Sequence, residues 1–349
     1  MENSSKETER QASVGDVAKR AGVSVGTVSN VMNGSSVVKP ETREKVLAAA
    51  RELNYIPNRA GRMLKTDQTK LIMLAIPDTS NEIYFGMIEG VLTTIKEKGY
   101  SMLLYYTNAL EEEELKTIGL LQERLIDGLI LVHFSYSQRL MDELERTNRP
   151  VVLLGMCNHM WAKQGKRFDT ISIDVFSGIY EAVNHLIRVG HRKIGYLAGR
   201  AGIEVYKQRY EAYRKALKDA GILYREEYVW WRDFTRAGGY TCGRDLYQLP
   251  DRPTAICGSN DLQSIGCWEA IRDLGGRTPD DIALTGMDNL DITKILGITS
   301  MRMREADMGI SAARLLLGHL MDNIETYQDL YYRPELQIRD SSLPVVRPN

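Results

Sequence analysis

The sequence predicts a small all-α head followed by an α/β body of two doubly wound parallel-sheet subdomains. Its 349 residues are enough for two or three domains at about 100–200 residues each. Helical apolar spacing and capping signals fill the first part of the chain. Beyond residue 69, short continuous apolar runs alternate with helical segments, as is typical of parallel sheets. The strands are too many for one sheet, which gives two subdomains.

Three short helices are predicted in the head, over residues 13–20, 25–32 and 40–53. Ser13 and Asp16 have the spacing of a capping box. Gly22 breaks the chain, Ser24 can cap the second helix, and Pro40 fits the first turn of the third. Two short helices joined by a glycine turn and packed under a third describe a helix-turn-helix, although an ordinary three-helix cap fits as well.

The body alternates predicted strands and helices. Strands are predicted at residues 70–76, 101–106, 128–132, 151–155, 169–174, 193–198, 255–258, 282–287 and about 336–339. Helices are predicted at residues 84–98, 112–123, 138–146, 178–189, 207–220, 261–274 and 306–323.

Ligands of such sheets bind beyond the carboxyl ends of the strands. The polar residues at those positions are Asp78, His133, Asp174, Asn260 and Asp288. Each could instead cap a helix, and packing or capping is favoured for His133.

The composition indicates a cytoplasmic protein. The longest apolar runs are far shorter than the roughly 20 residues of a membrane span, and no secretory signal is evident at the start. The four cysteines have no CxxC spacing, which argues against a disulfide or zinc framework and for a reducing compartment. We expect no bound metal and no cofactor.

The formal net charge of −1 hides an asymmetry. Residues 13–66 contain nine Lys and Arg against four acidic residues, a net charge of +5, so the remainder carries −6. A basic head on an acidic body favours nucleic acid as a partner, although short basic helices are often only solvated.

The head contains the stretches DVAKRAGVS at residues 16–24, TREKV at 42–46 and LNYIPN at 53–58, together with Thr27, Ser29, Asn33 and Gly34. In these residues it resembles the DNA-binding head of LacI/GalR-type repressors. The resemblance implies that residues 25–32 form a recognition helix in a major groove. It implies that the DNA contacts in this part come from Ser13, Ser24, Val25, Gly26, Thr27, Ser29, Asn30, Asn33 and Tyr55.

One position departs from that family pattern. Position 30 is usually Arg, which grips guanine, whereas this chain has Asn30. Asn can read adenine, and Val25 can touch a thymine methyl group. We therefore expect an operator that depends less on guanine at this position.

Residues 58–65 are helix-compatible but only about two turns long, which is marginal for an isolated helix. A plain linker is the simpler interpretation. The resemblance implies a hinge helix that orders on DNA, with Leu64 wedged into the minor groove. Arg59, Arg62 and Lys65 would then be placed to reach phosphates. Asn58 is also an expected DNA contact.

The resemblance continues through the body to about residue 339. It is carried by GHRKIG at 190–195, RYEAY at 209–213, PTA at 253–255 and GMDN at 286–289. It implies two lobes of the periplasmic-binding-protein type, three chain crossovers between them, and an effector in the cleft. The expected effector-binding residues are Tyr84, Asp174, Arg209, Phe234, Asn260 and Asp288.

The body departs from the family pattern as well. Gly155 stands where Asp is frequent, and Trp230 and Trp231 crowd the approach to Phe234, which suggests a larger or more aromatic cavity. A sugar or sugar-like metabolite is the favoured effector. A nucleobase or a protein co-repressor stays open.

The predicted boundaries are a flexible tail at residues 1–12, a helix-turn-helix domain at 13–57, a hinge helix or linker at 58–68, and an effector-binding and dimerisation domain at 69–349. Within the last, the N-terminal subdomain takes about 69–173 and 303–328, and the C-terminal subdomain about 174–302 and 329–341.

The sequence thus predicts a homodimeric repressor of carbohydrate-utilisation genes that binds near-palindromic double-stranded operator DNA and is controlled by a small effector. The alternative is a nicotinamide-dependent α/β enzyme, which shares the strand–helix alternation. No GxGxxG follows a strand, and the phosphate-binding, nucleophile-elbow and HExxH motifs are absent, so we expect no enzyme.

Overall fold

The computed structural model describes residues 12–32, 37–56, 68–134, 137–155, 168–199, 204–322 and 324–343. The chain divides into two compact units, 1–69 and 70–349. The expected DNA contacts Asn33, Asn58, Arg59, Arg62 and Leu64 lie outside the described residues, as does most of the predicted hinge.

The first unit contains three helices. These are α1 (Val14–Ala21), α2 (Val25–Met32) and α3 (Pro40–Glu52). The predicted capping box is present, because the backbone N–H of Ser13 donates to Asp16 and that of Asp16 donates to the Ser13 hydroxyl. The N–H of Thr27 donates to Ser24 Oγ at 3.1 Å. Val17, Val28 and Val46, one from each helix, form the centre of a small apolar core.

The N-terminal subdomain of the second unit has a six-stranded sheet. Its elements are β1 (Leu71–Ile76), α4 (Ile83–Lys96), β2 (Ser101–Tyr106), α5 (Glu111–Gln122), β3 (Gly128–His133), α6 (Gln138–Arg146), β4 (Val151–Gly155), β5 (Asp169–Ile173), α12 (Glu305–Met321) and β11 (Asp329–Tyr332). The strand order is β11-β5-β4-β3-β1-β2, and every neighbouring pair is parallel.

The C-terminal subdomain has a second six-stranded sheet. Its elements are α7 (Val175–Arg188), β6 (Ile194–Ala198), α8 (Glu204–Asp219), β7 (Val229–Trp231), α9 (Arg236–Tyr247), β8 (Ala255–Gly258), α10 (Asp261–Asp273), β9 (Ala283–Asp288), α11 (Asp291–Ile295), β10 (Thr299–Arg302) and β12 (Glu335–Gln337). The order is β12-β10-β9-β8-β6-β7, with β12 antiparallel to β10. The predicted fold class, with doubly wound sheets in two lobes, is confirmed.

Five elements were not predicted: β7, α9, α11, β10 and β11. The strands are three or four residues long, and α9 is rich in glycine. Those glycines allow close helix packing, because a Cβ on Gly239 would lie 2.1 Å from the carbonyl oxygen of Gln263 on α10. The predicted subdomain boundary before residue 329 is wrong in one respect: β11 pairs with β5, so Asp329–Tyr332 completes the N-terminal sheet.

Three chain segments connect the two sheets, as expected for this fold class. The chain passes at Asp174, at residues 303–304 and at residues 333–334. The first and third crossings are adjacent, because the N–H of Asp174 donates to the carbonyl oxygen of Tyr332 at 2.9 Å. Arg304, at the second crossing, lies over the Tyr332 ring at 5.5 Å. None of the described helices has the length and hydropathy needed to cross a membrane.

Candidate functional site

The head exposes one face of α2. Val28 and Val31 point into the core, whereas Val25, Gly26 and Asn30 are exposed. The apolar side chain of Val25 is 49% exposed. This face is therefore free to meet a partner.

The hydroxyls around the same helix are already hydrogen-bonded. Ser24 and Thr27 join through their side-chain oxygens at 2.9 Å, and Ser13 Oγ donates to Asp16 at 2.7 Å. Ser29 and Tyr55 are half-buried. The Tyr55 ring packs against the head core.

The second candidate site is the cleft between the two sheets, beyond the carboxyl ends of their strands. It is a cavity of about 410 Å³, within the range of about 300–1,000 Å³ for small-molecule sites. The N-terminal subdomain lines it mainly with apolar side chains: Pro77, Ile83, Tyr84, Met87, Val132, Phe134, Leu154, Ile173, Met303 and Met308. The C-terminal subdomain lines it mainly with polar or aromatic ones: Tyr206, Arg209, Asp233, Phe234, Thr235, Asn260 and Asp288.

Arg209 projects from α8 into this cleft and is only 5% exposed. Among the described residues, its guanidinium donates one hydrogen bond, to the carbonyl oxygen of Ser259 at 2.5 Å. Its buried Nε has no hydrogen-bond partner there. The guanidinium carbon lies 5.2 Å from the centre of the Phe234 ring. A buried donor without a partner is costly, so the cleft is incomplete without an acceptor.

Asp288 ends β9 and is 3% exposed. Burial raises the pKa of its carboxyl group well above the usual range, and the nearby charge of Arg209 opposes this rise. Its backbone has φ of 121°, a conformation that side-chain-bearing residues rarely adopt. Such strain is typical of ligand clamps, because the surrounding structure must hold it.

Asn260 combines two tasks. Its Oδ1 accepts the N–H of Gln263 at 2.9 Å, which caps α10, and its Nδ2 donates to the carbonyl oxygen of Phe234 at 3.1 Å. An amide nitrogen has two donors, so one stays available towards the cleft. Asn260 therefore both caps α10 and lines the cleft.

The aromatic residues form two walls. The Phe234 and Tyr206 rings lie 4.1 Å apart between centroids, on the C-terminal side. Tyr84 is buried on the N-terminal side, where burial and then the charge of Asp288 raise the pKa of its hydroxyl. Of the candidates after strands, Asp78 also lines the cleft, while its carboxylate accepts hydrogen bonds from Ser80.

Two candidates have other roles. Asp174 is not among the described lining residues: its carboxylate accepts the N–H of Ser177 at 2.8 Å and caps α7. We correct the expectation that it binds effector, because it does not line the cavity in the part of the chain that the structure describes. His133 is also away from the cleft, where its Nδ1 bonds to buried Glu114 at 2.8 Å.

The expected crowding by tryptophan is also absent from the described lining. Trp231 packs edge-on against Tyr210, and Tyr228 donates to the carbonyl oxygen of Asp251 at 2.6 Å. Gly155 does line the cleft, but a Cβ there would lie 1.9 Å from the carbonyl oxygen of His133. The backbone therefore has no room for a side chain at position 155.

Sequence reasoning missed Tyr206, Asp233, Thr235 and Glu305 in the lining. Asp233 and Thr235 flank Phe234 and could have been inferred from it. No sequence motif pointed to Glu305. Its position depends on the second crossing between the lobes, where Arg304 adopts φ of 59°.

Two family models match the chain. Residues 13–58 match bacterial regulatory proteins of the lacI family, and residues 183–342 match a periplasmic binding protein-like domain. Among curated relatives, the HTH-type transcriptional repressor PurR of Mannheimia succiniciproducens is 32% identical over 333 residues, which cover 95% of this chain and 98% of the relative. PurR of Pasteurella multocida matches with the same identity and coverage.

Solved structures of transcriptional regulators are also similar to this chain. The transcriptional regulator CelR in complex with cellobiose has a TM-score of 0.69 at 29% identity, over 95% of this chain and 99% of CelR. The lac repressor dimer bound to operator and the anti-inducer ONPF has a TM-score of 0.81 at 26% identity, over 96% of this chain and 100% of the repressor.

Fold and sites together define a DNA-binding transcriptional regulator with a ligand-binding domain. The relatives named above are transcriptional regulators and not enzymes. The chain belongs to the LacI family of bacterial regulatory proteins.

Proposed function

We propose that this regulator is a repressor of carbohydrate-utilisation genes whose operator affinity is set by a sugar or sugar-like effector in the cleft. Closure of the cleft around the effector shifts the balance between DNA-binding and released states, as in other two-lobed switches. The proposed effector contacts are Tyr84, Arg209, Phe234, Asn260 and Asp288.

The arrangement of Arg209 and Asp288 carries this proposal. Both are almost fully buried, yet Arg209 makes its one described hydrogen bond to a backbone carbonyl and leaves Nε open. A hydroxyl can accept from a guanidinium and donate to a carboxylate at the same time. A ligand without that hydroxyl leaves both groups unpaired, which penalises it strongly.

The aromatic pair of Tyr206 and Phe234 supports a ring-shaped ligand on the same side. The bound cellobiose of the CelR relative favours a sugar over a nucleobase. A flat nucleobase is the second candidate, since it too would stack on Phe234.

A thermal-shift screen of the full chain against mono- and disaccharides, followed by calorimetry, tests the effector class. We expect Arg209→Met to weaken sugar binding by at least about tenfold, the effect of one lost charged hydrogen bond. Arg214→Met is the matched control, because Arg214 is exposed on the same helix. If nucleobases bind and sugars do not, the sugar proposal fails.

The proposed binding unit is a homodimer on a near-palindromic operator. It is supported by exposed apolar side chains on α4 and edge strand β2, namely Phe85, Leu92, Leu103 and Leu104. Exposed apolar edge strands invite pairing with another chain. Analytical ultracentrifugation should give a dimer for the wild type and a monomer for Leu103→Asp/Leu104→Asp; a wild-type monomer would contradict this proposal.

In the head, the proposed DNA contacts are the exposed face of α2 with Ser13, Ser24, Val25, Gly26, Thr27, Ser29, Asn30, Asn33 and Tyr55. The proposed hinge adds Asn58, Arg59, Arg62 and Leu64. Mobility-shift assays test the set, because removal of residues 1–66 should abolish DNA binding and leave effector binding intact. DNA affinity that survives this deletion would refute the assignment.

A further inference from the structure

The cleft holds a side chain that a neutral sugar does not explain. Glu305 is the first residue of α12, and its stem lies across α4 at Gly86, where a Cβ would sit 2.8 Å from Glu305 Cγ. This packing holds the carboxylate at the cleft. Its Oε2 is buried and has no hydrogen-bond partner among the described residues, and burial raises the pKa of the group.

Asp288 faces Glu305 from the other subdomain. The two side chains line the same cavity from opposite lobes, with Asp288 buried and Glu305 half-buried, and the charge of Glu305 is one of the causes that raise the pKa of Asp288. Two such carboxylates repel each other when both are ionised. Bringing the lobes together around a neutral ligand would strengthen that repulsion.

The charged residues that line the rest of the cleft are also mostly acidic. The described lining residues contain four acids, Asp78, Asp233, Asp288 and Glu305, and one cation, Arg209. Lys294 and Arg302 act on Glu305 from outside the cleft, but Lys294 is paired with Asp291 and Arg302 with Glu335. The lining therefore contains more acidic groups than basic ones.

The unpartnered Nε of Arg209 places a second requirement on the ligand. This side chain is 95% buried, so the ligand must present an acceptor on the C-terminal side as well. A hydroxyl or ether oxygen meets that need. A protonated amine, with three donors and a positive charge, meets the needs of Glu305 and Asp288.

We propose that the effector is an amino sugar or a similar aminated polyol, whose ammonium group binds between Glu305 and Asp288 while its hydroxyls bind Arg209. This assignment rests on the proposed sugar-binding function of the cleft and narrows its ligand class. The ammonium bridges the two lobes, so its binding favours the closed cleft. Glu305 is then the residue that separates aminated from neutral sugars.

Matched pairs of sugars test the assignment. The full-length chain is titrated by calorimetry at pH 7 with D-glucosamine and D-glucose, D-galactosamine and D-galactose, D-mannosamine and D-mannose, and the glucosamine β-1,4 dimer and cellobiose. We expect the amine to bind at least tenfold more tightly than its neutral partner in at least one pair. Glu305→Gln should remove most of that preference.

Glu82→Gln is the control variant, because Glu82 is an exposed acid near Glu305 that does not line the cleft. It should keep the amine preference. Equal or tighter binding of the neutral member in every pair overturns the amine assignment and leaves the sugar proposal standing. An amine preference that Glu305→Gln does not change also overturns it. If no sugar of either kind binds, both proposals fail.

Discussion

A single buried carboxylate supports the loop that carries Asp288, one of the proposed effector contacts. Asp261 Oδ2 accepts the N–H of Leu290 at 2.8 Å and the hydroxyl of Thr293 at 3.2 Å, and its Oδ1 accepts the hydroxyl of Ser300 at 2.6 Å. Burial raises the pKa of Asp261 to about 6, although these donors and the charge of Arg339 oppose the rise. Asp261 is thus a positioning residue beneath the cleft.

This shift predicts a pH dependence of stability. The folded state keeps the Asp261 proton up to a higher pH than the unfolded chain does, so this group's contribution to the free energy of unfolding falls as pH rises from about 4 to 6. Asp261→Asn removes that slope, because an amide does not titrate. Urea unfolding at several pH values measures it; identical slopes for the variant and the wild type would show that Asp261 does not titrate in this window.

Asn30 gives a second prediction at the scale of one residue. It is exposed on the α2 face, where Asn is suited to adenine. Asn30→Ala should relax base preference at one operator position, at a cost of about 1–3 kcal/mol of discrimination. Selection from random DNA with both proteins measures this. An invariant guanine that the substitution leaves unchanged would contradict it.

At the scale of elements, α9 and α10 pack through glycine. A Cβ at position 239 would lie 2.1 Å from the backbone oxygen of Gln263. Gly239→Ala should therefore lower the free energy of unfolding by about 1–3 kcal/mol through overpacking. Thermal and urea unfolding measure the change.

Gly119→Ala is the matched control for that substitution. Gly119 lies inside α5 and a Cβ there meets nothing within 4 Å. Alanine should raise stability by up to about 1 kcal/mol, because it is the better helix former. Equal effects of the two substitutions would rule out the packing argument for Gly239.

Element prediction succeeded where a segment carried its own signal. The capping box at Ser13 and Asp16 and the buried strands β1, β3 and β4 follow from local sequence. Helix α9 could not be predicted, since its glycines disfavour a helix locally, and two of them, Gly239 and Gly243, are explained only by contact with α10. Likewise β11 exists through its pairing with β5, which is distant in sequence.

Local sequence was also insufficient to predict every residue that lines the cleft. Arg209, Asn260 and Asp288 could be proposed because each follows a strand or matches a family motif, and all three line the cavity. Asp174 satisfied the same criterion and is a helix cap. Only three-dimensional packing could separate these cases, and Glu305 required the position of α12 against α4.

At the scale of the whole molecule, charge is divided between the two units. The head segment at residues 13–66 carries a net charge of +5, and the rest of the chain carries −6. Binding of operator DNA by the head should weaken by at least about 100-fold between 50 and 200 mM salt, through counterion release.

The effector cleft is the internal control for this salt dependence. The proposed ligand contacts Arg209, Asn260 and Asp288 are buried, so sugar affinity should change by less than about twofold over the same range. Fluorescence anisotropy for DNA and calorimetry for sugar give the two curves. A DNA affinity that does not respond to salt would contradict a phosphate-dominated interface.

The three crossings at Asp174, residues 303–304 and residues 333–334 also set the mechanics of the body. A single connecting segment would let the two lobes rotate in any direction relative to each other. Three adjacent segments together resist twisting and sliding of one lobe against the other. Tyr332 ties them, through its bond to Asp174 and its contact with Arg304. Rotation about a single axis is the motion this joint permits most easily. The proposed closure of the cleft by a small ligand would therefore produce one defined displacement at the far ends of both lobes.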